Sequence, residues 1–306
     1  MPQPQRDNFS ASFLGLACGD ALGAWTENLT PSAIRGRFKG GLKGFPPMAH
    51  PYLIRNGTYL FTDDTQVSIC VAQSLVSKAE FDSEDVSQRI VQWSYSPENF
   101  REPARTLMRA SKLLQNRDPK SSGSGVPSTC GAAAARFVPL GLMYAGDEKS
   151  CVDTARELAT LTHSDPRVEA AAAAIALIIS KLIEGREPEE TLEDVIGKVS
   201  GISESLAESL CMVKACSELD ETAAFNCLGR GISISEILSI ALYCFLSHPK
   251  DFKAAVLTAV NGGGKSDSIA SLSGAFSGAH LGMDALPKDR KARGKRGNPG
   301  NSQKSI

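Results

Sequence analysis

Apolar residues recur at helical spacing along most of the chain, and nowhere do they alternate over the length of a strand. From Asn8 to Trp25 the pattern predicts a helix with Gly15, Gly19 and Gly23 four residues apart on one face. A glycine inside a helix costs about 1 kcal/mol relative to alanine. Three at that interval imply that another backbone comes very close. A helix expected over Asp267–Leu281 repeats the device with Gly274, Gly278 and Gly282, so both helices are expected to pack tightly at the centre of the domain.

Between them the pattern alternates between helix and loop. Residues 30–60 are rich in glycine and proline and read as loop. Thr65–Lys78 places Val67, Cys70, Val71, Ser74 and Leu75 on one helical stripe. Pro103–Leu114 is a further helix, Gln115–Thr129 a Ser/Gly-rich loop, and Ala132–Tyr144 a helix that Pro139 should distort. Ser164-Asp165-Pro166 combines a cap with a proline just inside, and opens a helix to Ile183 that is apolar nearly all round and should be buried. Helices follow at Pro188–Val199 and from Ser203, Asp220 and Ser233. The reading is an all-α single domain over residues 7–286. Residues 287–306 form a basic tail with almost no apolar residue, which is expected to remain disordered.

Composition changes this picture little. In 306 residues, 42% hydrophobic and 22% charged content suits a soluble globular protein, and 6% aromatics with abundant Ala and Gly suits closely packed helices. The net charge of −1 hides a tail with seven Lys/Arg against one Asp, which leaves the body near −7. That acidic body has no nucleic-acid footprint. Eight scattered cysteines without a CxxC pair read as reduced thiols of a cytoplasmic protein. The polar N-terminus is not a signal peptide, and the longest apolar run, Ala170–Ser180, is too short to span a bilayer. A monomer without membrane or nucleic-acid partners is expected.

Chemistry concentrates in two acidic motifs about 200 residues apart, Thr62-Asp63-Asp64-Thr65 and Lys265-Ser266-Asp267-Ser268. Carboxylates interleaved with small hydroxyls supply the compact oxygen ligands that Mg²⁺ takes while keeping some water. Each motif also opens an apolar helical pattern. A helix cap by Asp63 or Asp64 is the plainer reading of the first motif standing alone. Glu27, at the end of the first glycine-striped helix, is a third candidate, with Asp20 about two turns earlier; by itself either acid reads as a surface residue. The Ser121–Gly131 loop offers hydroxyls and backbone N–H groups to a phosphate, and reads equally well as a linker. His163, before the capped helix, reads alone as a structural hydrogen-bonding residue.

Together these motifs resemble the ADP-ribosylglycohydrolase family, which includes dinitrogenase-reductase-activating glycohydrolases. The resemblance covers residues 9–286. It runs through Phe13–Gly23 with Glu27, the segment Pro31–Phe45, and the specific signature Phe61-Thr62-Asp63-Asp64-Thr65-Gln66. It continues through Arg136–Leu142, Leu161-Thr162-His163, Ala259-Val260-Asn261 and Gly263–Ser268. It implies an orthogonal multi-helix bundle with a Mg²⁺ or Mn²⁺ site between helix ends at its centre. It also implies hydrolysis of ADP-ribosyl linkages, arginine-type or related, with ADP-ribose or an ADP-ribosylated protein as partner. Carried over, Thr62, Asp63, Asp64, Asp267 and Ser268 would hold metal, and Glu27 would act beside it together with Asp63 and Asp64. Ser124, Gly125, Gly131, His163, Gly263 and Gly264 would contact substrate.

Three departures qualify that transfer. Ala132–Ala135 differs from the usual approach to the central helix, and the basic tail stands where a last helix is usual. Above all, Lys265 stands where the family usually has a metal-ligand Asp. Glu27, Asp63, Asp64 and Asp267 together with Lys265 carry three net negative charges, which one divalent ion brings to −1. One ion rather than the usual two is therefore expected. The alternative is an ADP-ribose-binding pseudoenzyme, or a structural, crystallin-like member with impaired catalysis.

Overall fold

Two glycine-striped helices touch backbone to backbone at the centre of the fold. The computed structural model describes residues 3–97, 99, 103–116, 125–131 and 134–287. The expected tail over 288–306, Ser124 and most of the loop before it, and Ala132 with Ala133 lie outside the described residues. The first helices are α1 (Gln3–Gly23), α2 (Pro31–Arg37), α3 (Asp63–Lys78), α4 (Ser83–Ser94) and α5 (Arg105–Gln115). The middle of the chain holds α6 (Val138–Met143), α7 (Glu148–Thr160), α8 (Pro166–Ile183), α9 (Pro188–Ser200) and α10 (Glu204–Ala215). The last are α11 (Glu221–Leu228), α12 (Ile234–Ser247), α13 (Phe252–Gly262) and α14 (Ser266–Leu281). The all-α expectation stands.

α14 is buried along its length, and α1 lies on it. A Cβ added to Gly15 would sit 2.2 Å from the Gly274 carbonyl oxygen, and one on Gly278 would sit 2.2 Å from that of Ala11. Gly19 and Gly23 meet the carbonyls of Ala270 and Ser266 in the same way. Ser12 Oγ and Asn8 Nδ2 donate across the seam to the carbonyls of Ala275 (3.0 Å) and Ala279 (2.8 Å). Gly282 departs from the expected stripe: it ends α14 in the left-handed region at φ +76°. α8 is buried nearly all round, as its composition predicts, beneath α6, α7, α9 and α12.

Local differences have local causes. Pro139 does not break a long helix but sits in the first turn of α6, after a 3₁₀ turn over Ala134–Phe137. The loop-rich region contains α2, capped by Thr30 with Pro31 just inside, and a hairpin pairing Ile54–Arg55 with Thr58–Tyr59. Asn56 and Gly57, at φ 52° and 75°, form its turn, which is a strong hairpin dipeptide. Besides α2, three helices lie outside the expected set: α4, α7 and α13. Each is opened by an aspartate cap, Asp82, Asp147 and Asp251. No helix among the described residues is long and apolar enough to cross a membrane.

Lys181 on α8 is 1% exposed and reaches Glu148 on α7 and Asp194 on α9, the latter at 2.5 Å. Lys198 joins Glu148 at 2.6 Å. Hydrogen bonds from Lys181 and then Lys198 draw the Glu148 carboxyl down to about 2 from 4.5.

Two outcomes follow for stability. Gly19→Ala should destabilise by about 2–3 kcal/mol or prevent folding, as overpacking against rigid backbone does. Gly36→Ala, in open space within α2, should be neutral or stabilise by up to about 1 kcal/mol; urea unfolding of both variants measures the contrast. In acid, the unfolded chain takes up a proton at Glu148 near its ordinary pKa while the folded chain resists until about 2. Its contribution is therefore present above about pH 4.5 and lost as pH falls toward 2. Thermal unfolding against pH should show that acid limb flattened in Glu148→Gln.

Candidate functional site

Asp20 organises the floor of the site from α1. Its Oδ1 accepts from Thr62 Oγ1 at 2.7 Å and Thr62 N–H at 3.0 Å. Its Oδ2 accepts from Thr65 Oγ1 at 2.5 Å and Thr65 N–H at 3.0 Å. These donors sit at the N-terminal end of α3, whose orphan N–H groups and positive end suit a carboxylate. Complete burial raises Asp20 to about 6 against the pull of the four donors. Thr62 Oγ1 gives its proton to Asp20 and, as the cap of α3, accepts from the Asp64 N–H at 3.4 Å, which leaves it one lone pair for a cation.

The two acidic motifs meet. Ser268 Oγ donates to Asp64 Oδ2 at 2.6 Å, across 204 residues of chain. Asp63 Oδ2 accepts from the backbone N–H of Ala104 at 3.0 Å, just before α5. Asp63, Asp64 and Asp267 are all buried. They lie in the first turns of α3 and α14, so two helix N-termini face the carboxylates they carry. Asp64 Oδ1 and Asp267 Oδ1 are buried with no hydrogen-bond partner. Burial, then the charges of Asp267, Asp63 and Asp20, push Asp64 well above the usual carboxylate range. Asp267 rises likewise through burial and then Glu27, with Lys265 opposing. Burial raises Asp63 against the Ala104 N–H and Lys265. Such a set is unstable as bare anions and calls for a cation.

One cation is covalently present. Lys265 Nζ donates to Glu27 Oε1, and the two side chains, 33% and 26% exposed, stand at the mouth of the cluster. Burial alone would lower the Lys265 ammonium, but Asp267, Glu27 and Asp64 outweigh it and hold the proton more firmly. The triglycine before Lys265 makes this meeting possible. Gly263 and Gly264 take φ of +70° and +68°, and a Cβ on either would lie 2.1–2.2 Å from the carbonyl of Leu29 or Arg230. Asn28 N–H donates to the Gly264 carbonyl at 2.7 Å, so the Glu27 and Lys265 segments are tied by backbone. Beneath them the Thr26 and Ser266 hydroxyls bond each other at 2.9 Å.

On the other side, Arg136 is fully buried, with its charge felt at Asp64 and an Nη2 bond to Thr162 Oγ1 at 2.5 Å. Thr162 Oγ1 in turn bonds His163 Nδ1 at 2.9 Å. Burial and then Arg136 lower His163 to about 3, so the imidazole is neutral near pH 7. Gly125 packs on the His163 backbone, and Val126 pairs with His163 as an isolated bridge. Gly131 lies against Ile237 of α12, and Thr129 accepts from Ile234 N–H at 2.8 Å. The described part of the glycine-rich loop is thus stitched to the His163 segment and to the start of α12.

The structure therefore brings Thr62, Asp63, Asp64, Asp267, Ser268 and Glu27 together, with Gly263 and Gly264 at their edge. Gly125 and Gly131 adjoin His163 and α12 respectively. Asp20 and Arg136 are the residues that sequence reasoning undervalued. Their signal is a lone charge inside an otherwise small or apolar run, Gly15–Trp25 and Gly131–Leu142. Two surface cavities of about 270 and 480 Å³ are lined by none of the candidates. Among the described residues no three His, Cys, Asp or Glu side chains form a ready metal cage. The donor set fits instead a hard ion that keeps several waters and takes one or two carboxylates, since two buried oxygens lack partners.

The ADP-ribosylglycohydrolase family model matches residues 1–298. The ADP-ribosylhydrolase ARH3 of Gallus gallus is 27% identical over 331 residues, covering 94% of this chain and 88% of that protein. The ADP-ribosyl-[dinitrogen reductase] glycohydrolase of Rhodospirillum rubrum is 25% identical over 286 residues, covering 92% and 88%. A solved structure described as an ADP-ribosylglycohydrolase-related protein complex superposes with a TM-score of 0.70 at 26% identity, covering 94% of this chain and 91% of its own.

The Asp20 knot generates a test of its own. Asp20→Ala leaves two hydroxyls and two N–H groups buried without their acceptor, and should cost about 3 kcal/mol in urea unfolding. Asp20→Asn, which keeps the shape but presents an NH₂ to donors, should lose stability by a smaller amount.

Proposed function

The chain belongs to the ADP-ribosylglycohydrolase family, and we propose that it hydrolyses a linkage between ADP-ribose and a protein side chain, arginine-type or a related conjugate, with a divalent cation. Hydrolysis of ADP-ribosyl linkages is the reaction the family is named for. The observation that carries the cation is the Ser268–Asp64 hydrogen bond, which joins the two acidic motifs and leaves Asp64 Oδ1 and Asp267 Oδ1 without donors.

Thr62, Asp63, Asp64, Asp267 and Ser268 would hold Mg²⁺ or Mn²⁺. Bound there, the ion would supply a Lewis acid that holds ribose hydroxyls and acidifies a water. The chain's own residues do the rest. Cleavage at the ribose C1 builds oxocarbenium character, and the surplus of buried carboxylates favours positive charge at that spot. Glu27, at the mouth, would accept the proton of the attacking water. Neutral His163, oriented by Thr162, would offer a hydrogen bond to the substrate, and Gly125 and Gly131 would border the diphosphate. A monomer in a reducing compartment such as the cytoplasm suits its eight free cysteines.

One observation favours a second reading, an ADP-ribose binder or crystallin-like structural member without turnover: Glu27 Oε1 already accepts from the Lys265 ammonium, so the oxygen that would take the proton of the attacking water is occupied by a donor.

Calorimetric titration of ADP-ribose with and without Mg²⁺, followed by assays on ADP-ribosyl-arginine and ADP-ribosylated protein, separates the two. Turnover should require the cation and fall at least about 100-fold in Asp64→Asn, a loss of the size expected for removing a group that stabilises the transition state. Binding of ADP-ribose with no release from any conjugate selects the second reading. Turnover unchanged by Asp64→Asn or by chelation removes the cluster from the reaction.

A further inference from the structure

We propose that the Lys265 ammonium is a built-in cation of the carboxylate cluster, so that the site takes a single divalent ion per chain. This rests on the cation-dependent reading above and specifies its stoichiometry. Glu27, Asp63, Asp64 and Asp267 converge, and Lys265 already answers part of their charge by donating to Glu27 Oε1. An ammonium has three donors and no acceptor, so it can occupy a cation's place but cannot ligate one.

Its position is held from both sides. Lys265 N–H donates to the Arg230 carbonyl at 3.2 Å, and the residue directly precedes α14. Gly231 lies close enough to its stem that an added Cβ would meet Lys265 Cβ at 3.2 Å. What remains unsatisfied is on the other flank: Asp64 Oδ1 and Asp267 Oδ1, buried and without partners. Two carboxylate oxygens, the Ser268 and Thr62 hydroxyls and retained waters suffice for one hard ion. A second ion would have to share Glu27 and Asp267 with the ammonium, where like charges at close range in a half-buried setting repel strongly.

Mn²⁺ titration of the full chain, read by calorimetry and by electron paramagnetic resonance, tests this without reference to turnover. The native protein should bind one Mn²⁺ per chain with an uncoupled spectrum. Lys265→Asp, which exchanges the ammonium for a carboxylate, should bind two with an exchange-coupled spectrum. Lys265→Gln should keep one ion and bind it at least about tenfold more tightly, because the repelling charge is gone. That variant also stands in should Lys265→Asp fail to fold, as judged by thermal unfolding. Two ions in the native protein overturn the proposal. So does Lys265→Asp remaining at one ion, or Lys265→Gln binding with native affinity. If none of the three binds Mn²⁺, the cation-dependent reading falls with it.

Discussion

The contact between the backbones of α1 and α14 governs everything built on them. Glycines at positions 15, 19 and 23 remove the side chains that would hold the helices apart, and carbonyl oxygens fill the space a Cβ would take. That approach brings the end of α1, which carries Asp20 and has Glu27 just beyond it, alongside the start of α14, with Lys265, Asp267 and Ser268. Ordinary helix axes pack 8–10 Å apart with side chains between them. At such a spacing the short carboxylates and hydroxyls of the two segments would not reach one another. The helical cost of the glycines is thus the condition for the site's compactness.

Within that frame the site is a problem of charge balance. Asp20 is satisfied by four donors from Thr62 and Thr65, and it serves to orient the first turn of α3. Asp63 draws on a backbone N–H, and Asp64 on the Ser268 hydroxyl. None of these donors carries a full positive charge. The cations in reach are Arg136 on the buried side and Lys265 at the mouth, each felt at Asp64. The cluster keeps a surplus of negative charge between them, and that surplus suits both a bound divalent ion and a sugar carbon that becomes positive during cleavage.

The hydroxyl network has a separate role. Thr62, Thr65 and Ser268 each donate to a carboxylate, and Thr62 Oγ1 also accepts from the Asp64 N–H as the cap of α3. Thr162 links Arg136 to His163, so the imidazole is oriented by a residue that is itself held by a buried guanidinium. The neutral ring is therefore suited to hydrogen bonding rather than to carrying charge. Sequence neighbours of the acids thus do as much to shape the site as the acids themselves.

The sequence by itself determined the helical class, most helix starts and the two acidic motifs, because caps, periodicity and glycine spacing are short-range properties. Thr62-Asp63-Asp64 and Asp267-Ser268 were legible as ligand-like sets for the same reason. Even the hairpin at Asn56-Gly57 and the aspartate caps of α4, α7 and α13 carried local signals. Tertiary structure alone decided which helix lies on which, that Ser268 reaches Asp64 across 204 residues, and that Lys265 points at Glu27. It also decided that Asp20 and Arg136 are buried. Burial and charge pairing depend on segments far apart in the chain, and no local pattern encodes the distance between them.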